Sequence, residues 1–562
     1  MTAHNVSHQH HYHDSHQHDH EQHPQGRHIG LGPAHGNRFG LSKWGEGLTE
    51  DIKRRRPFYL KDWKDGITWK SLPATLFLYV ACLATTVAFG GLMSALTGGS
   101  MGVMECLVSS ASCGMAYAAL SGQPMTIIGP TGLTLAFTTA LYGFCTTAGV
   151  PFLGAYAWVG LWTSAILALL SLANLSDCIK YCSRFTDEIF NGLIATNFLY
   201  EATRLSLKNF KTQSADKTRA FVSLSIALGT FILGRSLLAL RSSRFFVKRI
   251  RVFFSDFGPL IAIVAMTLVT FIPGMSAFGL ERLQIPNSIA PAGNRPWLVA
   301  LFAVPWSIRL ACMVPAVLLT CLFFLDQNIS VRVVNSPSHR MKKGPAYHLD
   351  LMMLALCTGV CSIFGLPWMC AATVQSLNHV SAMATFSDEE DKPAKIESVV
   401  ENRVTGFSIH ALIGMSLLLL PLVKQIPMAV VAGLFLFLGR NMMSGNEFFS
   451  RVRSLFEDPK LYKEDSPMKK APAWQVHAFT GVQLMCLGLL WTLKLNKKTS
   501  LFFPSVIASL MIIRSRILPK FFPDTTLRLL DSEVGEEEPK ESGEGSKSGE
   551  ERQSEKVSYG HG

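Results

Sequence analysis

The sequence predicts an all-α, polytopic membrane protein with about 14 transmembrane segments arranged as 7+7 inverted repeats, two of the segments being half-helices. Composition is the first reason. With 562 residues, 48% hydrophobic and only 16% charged, and a mean hydropathy of +0.25, the chain does not fit one soluble domain. The second reason is a succession of apolar runs of about 17 to 25 residues, the length a helix needs to cross roughly 30 Å of hydrocarbon. The third is a pair of short apolar segments, one in each half of the chain, both entered through a Gly/Pro break. Such paired breaks are the best sequence pointer to the midplane site of an inverted-repeat transporter.

Taken in order, residues 1 to about 40 hold eleven of the seventeen His and too few apolar side chains to build a core, so a disordered tail is expected, with weak transition-metal binding as the alternative. Arg54-Arg55-Arg56 and Lys61-Asp62-Trp63-Lys64 then form a basic, aromatic lead-in suited to the membrane surface. The first half holds expected segments over 72–96, 103–120, the half-length 132–145, 152–172, 187–200, 221–240 and 254–272. The second half holds 297–325, 348–364, the half-length 371–383, 405–422, 427–438, 476–493 and 501–513. This divides the chain into a tail and lead-in (1–70), a membrane domain (71–520, with repeats at 71–275 and 295–520) and a second disordered tail (521–562).

Charge sets the expected orientation. The net charge of +12 is concentrated in loops and termini, where it reports topology and gives no nucleic-acid signal. The basic stretches 248–251, 340–343, 451–470 and 514–520 fall on one side; if that side is cytoplasmic, both termini are inside, most simply at the plasma membrane. The basic loop 208–219 disagrees with this vote. The twelve Cys lie mostly within apolar runs, as Cys312, Cys321 and Cys486 do, and read as small buried hydrophobes with neither a disulfide framework nor a zinc site. No nucleophile–base pair or metal cluster stands in the apolar runs, which argues against an enzyme and against a protein-bound cofactor.

The half-segments carry the functional expectation. Ile127-Ile128-Gly129-Pro130-Thr131-Gly132 leads into a helix of only about 20 Å, so backbone N–H groups are left unpaired near mid-membrane. Such groups at a helix start attract anions, making Thr131 to Thr134 one wall of an anion site; an ordinary helix kinked by Gly-Pro is the alternative. Phe364-Gly365-Leu366-Pro367-Trp368 breaks the second half in the same way. Asp326 closes the apolar run 317–325, and an ionisable group near membrane depth is by default functional; the alternative is a carboxylate already at the interface. Ser330, one turn on, is expected on the same face. His379 reads as hydrogen-bonded packing, with a proton relay as the alternative, and Glu201 as structural or gate-lining.

An ordered set of motifs adds a family resemblance. Arg184-Phe185-Thr186-Asp187-Glu188, Phe198-Leu199-Tyr200-Glu201-Ala202, Ser255-Asp256-Phe257-Gly258, Lys343-Gly344 with Tyr347-His348-Leu349-Asp350, Gly365-Leu366-Pro367-Trp368 with Ala371-Ala372-Thr373-Val374, Arg403-Val404-Thr405-Gly406 and Ile426-Pro427-Met428 occur in sequence. Over roughly residues 70 to 530 the chain resembles the bicarbonate-transporter family of anion exchangers and sodium-bicarbonate cotransporters. The resemblance implies a core domain that holds substrate, a gate domain and a homodimer. It implies that Asp326, Ser330 and Thr373 are oxygen ligands for sodium. Gln375 stands where electroneutral exchangers carry an arginine facing the substrate. Two departures stand out: Thr138-Thr139 replaces an acidic pair, and Gly132-Leu133 replaces Gly-Pro, the proline having moved to Pro130.

The expected function is therefore a secondary transporter of bicarbonate or carbonate, coupled to sodium, working by alternating access in a lipid bilayer. A chloride-bicarbonate exchanger and a borate exporter of the same fold are the alternatives. The expected substrate contacts are Thr131, Gly132, Leu133, Ala372, Thr373 and Gln375.

Overall fold

The computed structural model describes residues 44–531 apart from 182, 212–216, 286–288, 387–395, 445, 459–468, 470 and 497–498. The two expected tails, and parts of the basic loops at 208–219 and 451–470, lie outside the described residues.

The lead-in forms α1 (Glu46–Arg55) and α2 (Tyr59–Asp65), ahead of the apolar helices α3 (Ser71–Leu96) and α4 (Val103–Leu120). A two-residue strand β1 (Ile128–Gly129) enters the half-helix α5 (Gly132–Ala148). Then come α6 (Phe152–Leu172), α7 (Arg184–Lys211), α8 (Lys217–Ala239), and α9 (Lys248–Asp256) bent by 65° against α10 (Gly258–Val269). Two short helices, α11 (Pro273–Ser276) and α12 (Trp306–Ala311), lead to the second half. There the order repeats: α13 (Met313–Val334), α14 (Tyr347–Phe364), β2 (Cys370–Ala371), half-helix α15 (Thr373–Met383), α16 (Val404–Met415). The chain continues through α17 (Leu420–Val423), α18 (Met428–Ser444), α19 (Glu447–Ser454), α20 (Ala473–Leu495) and α21 (Phe503–Ile512). Two packed groups result, one of α3, α4, α6, α13, α14, α15 and α16, the other built on α7, α8, α10, α18 and α20.

Among the described residues, nine helices are long and apolar enough to cross a membrane, or up to eleven if each of two bent pairs is one span. That falls short of the expected fourteen. Helices α5 and α15 fail because they are half-length, and α7, though 28 residues long, carries Asp187, Glu188, Glu201 and Arg204. The sequence boundaries also shift. Helix α7 extends well beyond the expected 187–200, because its charged ends are paired and do not stop the helix. The expected span 297–325 becomes α12 and α13, and α13 runs on to Val334 because Asp326, Gln327, Asn328 and Ser330 are all buried within it. The second half-helix starts at Thr373, since Ala371 belongs to β2.

Large apolar side chains such as Leu228, Ile232, Leu418, Leu422 and Met485 stand exposed on the outer faces. In water such faces would be an aggregation liability; in hydrocarbon they are the solvated surface. Nine of the eleven described cysteines are buried, as expected of small hydrophobes.

Backbone left open at the two breaks is satisfied by side chains from the opposite repeat, which is what mid-membrane backbone requires. In the first repeat, Asp350 Oδ1 accepts from the N–H groups of Gly122 (2.7 Å) and Gln123 (3.0 Å), and Ser376 Oγ accepts from Ile127 N–H (2.9 Å). In the second, the Tyr156 hydroxyl donates to Leu366 O (3.0 Å) and accepts from Trp368 N–H (3.1 Å), while Ser109 donates to Pro367 O (2.6 Å). Tyr156 also stacks on Trp368, with centroids 3.8 Å apart. This close approach depends on Gly160, where any Cβ would overlap the Ser362 hydroxyl and the Trp368 indole. Gly160→Val is expected to destabilise the folded protein by about 1–3 kcal/mol, the usual range for overpacking. A thermal melt of the purified variant in detergent checks it.

Candidate anion and cation site

Strands β1 and β2 pair antiparallel, with Ile128 opposite Ala371 and Gly129 opposite Cys370. Each strand runs within two residues into its half-helix, so the pairing places the two helix starts beside one ladder and sends the helices away in opposite directions. Two positive helix ends therefore converge, each equivalent to about half an elementary charge.

The free donors at these starts can be named. Thr131 is the N-cap of α5, its hydroxyl accepting from Thr134 N–H at 3.3 Å. Among the described residues, nothing takes the N–H groups of Gly132 and Leu133. At the second start the expectation needs correcting: Ala372 N–H is consumed by Ile127 O (2.8 Å), because it extends the β1–β2 ladder. The open donors of α15 are instead the N–H groups of Thr373, Val374 and Gln375.

Helix α13 touches both starts. Asp326, 2% exposed, accepts from the Thr131 hydroxyl through Oδ2 at 3.1 Å, and the Cys370 thiol is hydrogen-bonded to the same carboxyl. One turn on, Ser330 Oγ lies 2.6 Å from Thr373 Oγ1 and 3.4 Å from Ala371 O. A hydroxyl has one proton to give. With that of Thr131 committed to Asp326, the Thr134 hydroxyl at 2.9 Å donates to Thr131. The result is a row of oxygens from Asp326, Thr131, Ser330 and Thr373 along one side of the two helix starts. Among the described residues Asp326 has no ion-pair partner.

The structure thus brings Thr131, Gly132, Leu133, Asp326, Ser330 and Thr373 together, with Asp326 buried inside α13. Gln375, half-buried in the first turn of α15, makes no side-chain hydrogen bond among the described residues. His379 is held by Met125 O (3.0 Å) and Thr405 Oγ1 (2.5 Å), the packing role its position suggested.

Several residues escaped the sequence reading. Cys370 was not singled out, and Thr131, expected at the anion site, was not expected to bond Asp326; both reach that carboxyl across gaps in sequence that no local pattern reveals. Lys494, near the end of α20, bonds Asn197 Oδ1, while Asn197 Nδ2 donates to Gly132 O at 3.3 Å, so a cation stands one side chain behind the first helix start. A lysine placed inside the apolar run, between Leu493 and Leu495 and ahead of Lys497-Lys498, was the available signal. Glu201 faces this lysine and Arg204, which leaves the cation matched by a carboxylate of its own. Among the described residues, buried Thr138 Oγ1 and both amide atoms of Asn328 have no hydrogen-bond partner. Further along α13, Arg332 pairs with Asp187 of α7, joining the two packed groups.

Residues 43–220 and 208–535 match the family model described as the HCO3- transporter integral membrane domain. The chain belongs to this family of membrane transporters. Among its relatives, the Band 3 anion transport protein of Rattus norvegicus is 33% identical over 512 residues, covering 87% of this chain and 55% of that protein. The sodium-driven chloride bicarbonate exchanger of Homo sapiens is 32% identical over 566 residues, covering 88% of this chain and 50% of that protein. The chain thus spans about half the length of these curated relatives. Two solved structures share the inverted-repeat fold. The transmembrane domain of the cyanobacterium bicarbonate transporter BicA matches with a TM-score of 0.54 at 16% identity, covering 78% of this chain and 97% of that one. Murine solute carrier 26 family member A9, an anion transporter in the inward-facing state, matches with a TM-score of 0.56 at 12% identity, covering 86% and 74%.

Proposed function

We propose that this chain is a secondary transporter that carries bicarbonate together with sodium by alternating access. The observation that carries the reading is Asp326, a buried carboxylate with no ion-pair partner among the described residues, set beside the two helix starts. Two helix ends supply about one positive charge between them, enough for a monovalent anion alone. Adding Asp326 leaves the site one charge short. A sodium ion on the oxygens of Asp326, Thr131, Ser330 and Thr373 removes that deficit, and Gly132, Leu133, Thr373, Val374 and Gln375 N–H groups receive the anion. Cation and anion then favour each other's binding, and that mutual coupling is what cotransport needs. The substrates named by the relatives, bicarbonate and anions, support this class of cargo.

A second reading, chloride-bicarbonate exchange, is favoured by the likeness to Band 3 and by Lys494 behind Asn197, a protein cation close to the first helix start. The two readings separate on the cation requirement. Thr131→Val removes one oxygen from the cation site and the cap of α5 while leaving Asp326 charged. Sodium affinity is expected to fall about tenfold, equivalent to about 1.4 kcal/mol, with maximal uptake largely retained. Sodium titration of labelled inorganic-carbon uptake in proteoliposomes checks it; unchanged half-saturation removes Thr131 from the ligand set. The division into repeats at 71–275 and 295–520, the cytoplasmic placement of both termini, the plasma membrane and a homodimer belong to the same reading. Cross-linking in native membranes tests the dimer.

A further inference from the structure

Asn197, in the middle of α7 and 2% exposed, stands between two partners. Lys494 of α20 donates to its Oδ1, and its Nδ2 donates to Gly132 O at 3.3 Å. An ammonium can only donate and a carbonyl can only accept, so the two neighbours fix which way this carboxamide points.

Gly132 O and Leu133 N–H belong to one planar peptide unit and point in opposite directions. The Leu133 N–H is one of the two donors left open at the start of α5 among the described residues. A hydrogen bond accepted by a carbonyl draws electron density from the amide nitrogen and makes its N–H a stronger donor; in a low-dielectric interior such chains strengthen by roughly 10–30% per bond. The Lys494 ammonium, the Asn197 carboxamide and the Gly132–Leu133 peptide are thus connected in series, and the series ends on a donor facing the anion position.

The lysine is held for this contact. Its Nζ lies 4.5 Å from the ring centroid of Trp491 and 5.4 Å from that of Tyr200, two π faces that attract a cation. Glu201, one turn beyond Asn197 on α7, offsets the lysine's charge and lies 3.7 Å from Arg204. Lys494 therefore adds no unit charge to the site, and the deficit created by Asp326 is left for a mobile cation. What the lysine contributes passes through the amides. The start of α5 is gripped on two sides, by Asp326 of α13 on Thr131 and by Asn197 of α7 on Gly132.

We propose that Asn197 is a positioning residue for anion binding: it relays the pull of Lys494 through the Gly132–Leu133 peptide to the open Leu133 N–H, and so sets the affinity for a small oxyanion such as bicarbonate. The inference rests on the proposed role of the helix starts as anion donors, and it holds whether the anion moves with sodium or in exchange.

The test reads half-saturating bicarbonate for labelled inorganic-carbon uptake by proteoliposomes of the full chain at saturating sodium. It compares the wild type, Asn197→Leu, Lys494→Met and the double variant, each checked for folding by a thermal melt. Leucine keeps the size of asparagine and removes both hydrogen bonds. Asn197→Leu is expected to raise half-saturation about threefold or more, with maximal uptake largely retained. Lys494→Met should raise it by a similar factor alone and by nothing further once position 197 is leucine, because the lysine acts through the carboxamide. Unchanged half-saturation in a folded Asn197→Leu or Lys494→Met variant overturns the relay. So do effects that multiply in the double variant, which would make Lys494 a charge acting directly across space. Leu133→Pro deletes the terminal N–H at a first-turn position where proline is tolerated, and so tests the donor role itself. It should weaken bicarbonate binding, and Asn197→Leu should add nothing to it. If Leu133→Pro weakens binding and Asn197→Leu does not, the relay alone fails; if Leu133→Pro changes nothing, the donor role fails and the relay with it.

Discussion

Asp326→Asn is expected to abolish sodium-driven accumulation of inorganic carbon, lowering the sodium-dependent rate by about a hundredfold or more. Two unit charges about 5 Å apart at an effective dielectric constant near 20 repel by about 3 kcal/mol, equivalent to over two orders of magnitude in affinity. In the wild type that repulsion between Asp326 and the anion is relieved only when a cation is bound, so an empty cation position keeps the anion out. Asparagine keeps the shape and the hydrogen bond from Thr131 but removes the charge. Anion binding should then persist without sodium, as a slow downhill flux. Comparing concentrative uptake with equilibrium exchange in the same vesicles separates lost coupling from lost folding. Abolition of both fluxes in a folded variant would instead mark Asp326 as a structural residue.

Gln375→Arg carries the second large expected effect, in the opposite direction. Position 375 lies in the first turn of α15, and an arginine there reaches the mouth shared by the two helix starts. A fixed guanidinium supplies the positive charge that the mobile cation otherwise brings, so uptake in potassium medium should rise toward the rate in sodium medium. Sodium stimulation is expected to fall to about twofold or less, from a wild-type dependence set by an electrostatic coupling of about 3 kcal/mol. An arginine variant that remains fully sodium-dependent would show that charge at position 375 does not reach the site.

The breaks at Pro130 and Pro367 were legible because Gly and Pro interrupt apolar runs at matching places, and this alone indicated two converging half-helices. Asp326 and Ser330 were legible as a pair because i,i+4 spacing fixes a common helix face. The end of α13 was not legible. Gln327-Asn328 looks like a solvated helix end, yet Gln327 Nε2 donates to the Tyr117 hydroxyl at 2.7 Å, deep inside the protein. A polar run is interior or exterior according to partners that lie over two hundred residues away. The same holds for Ala372: its sequence place at a helix start suggests a free donor, and only the β1–β2 ladder reveals that Ile127 has already taken it. The lead-in is a similar case. Its basic, aromatic composition indicated a membrane surface, whereas the contact of Asp51 Oδ2 with the N–H groups of His348 (2.9 Å) and Leu349 (3.2 Å) ties it to the start of α14. Burial raises the carboxyl pKa of Asp51 despite those donors, so it is an anchor made at some electrostatic cost.

Sodium coupling is tested most directly by uptake of labelled inorganic carbon into proteoliposomes holding the purified full chain, with sodium, potassium or chloride varied independently on each side. An inward sodium gradient should drive accumulation above the external concentration, potassium should not replace it, and internal chloride should be unnecessary. Equal uptake in sodium and potassium, with strict exchange for internal chloride, would contradict the account and establish an exchanger.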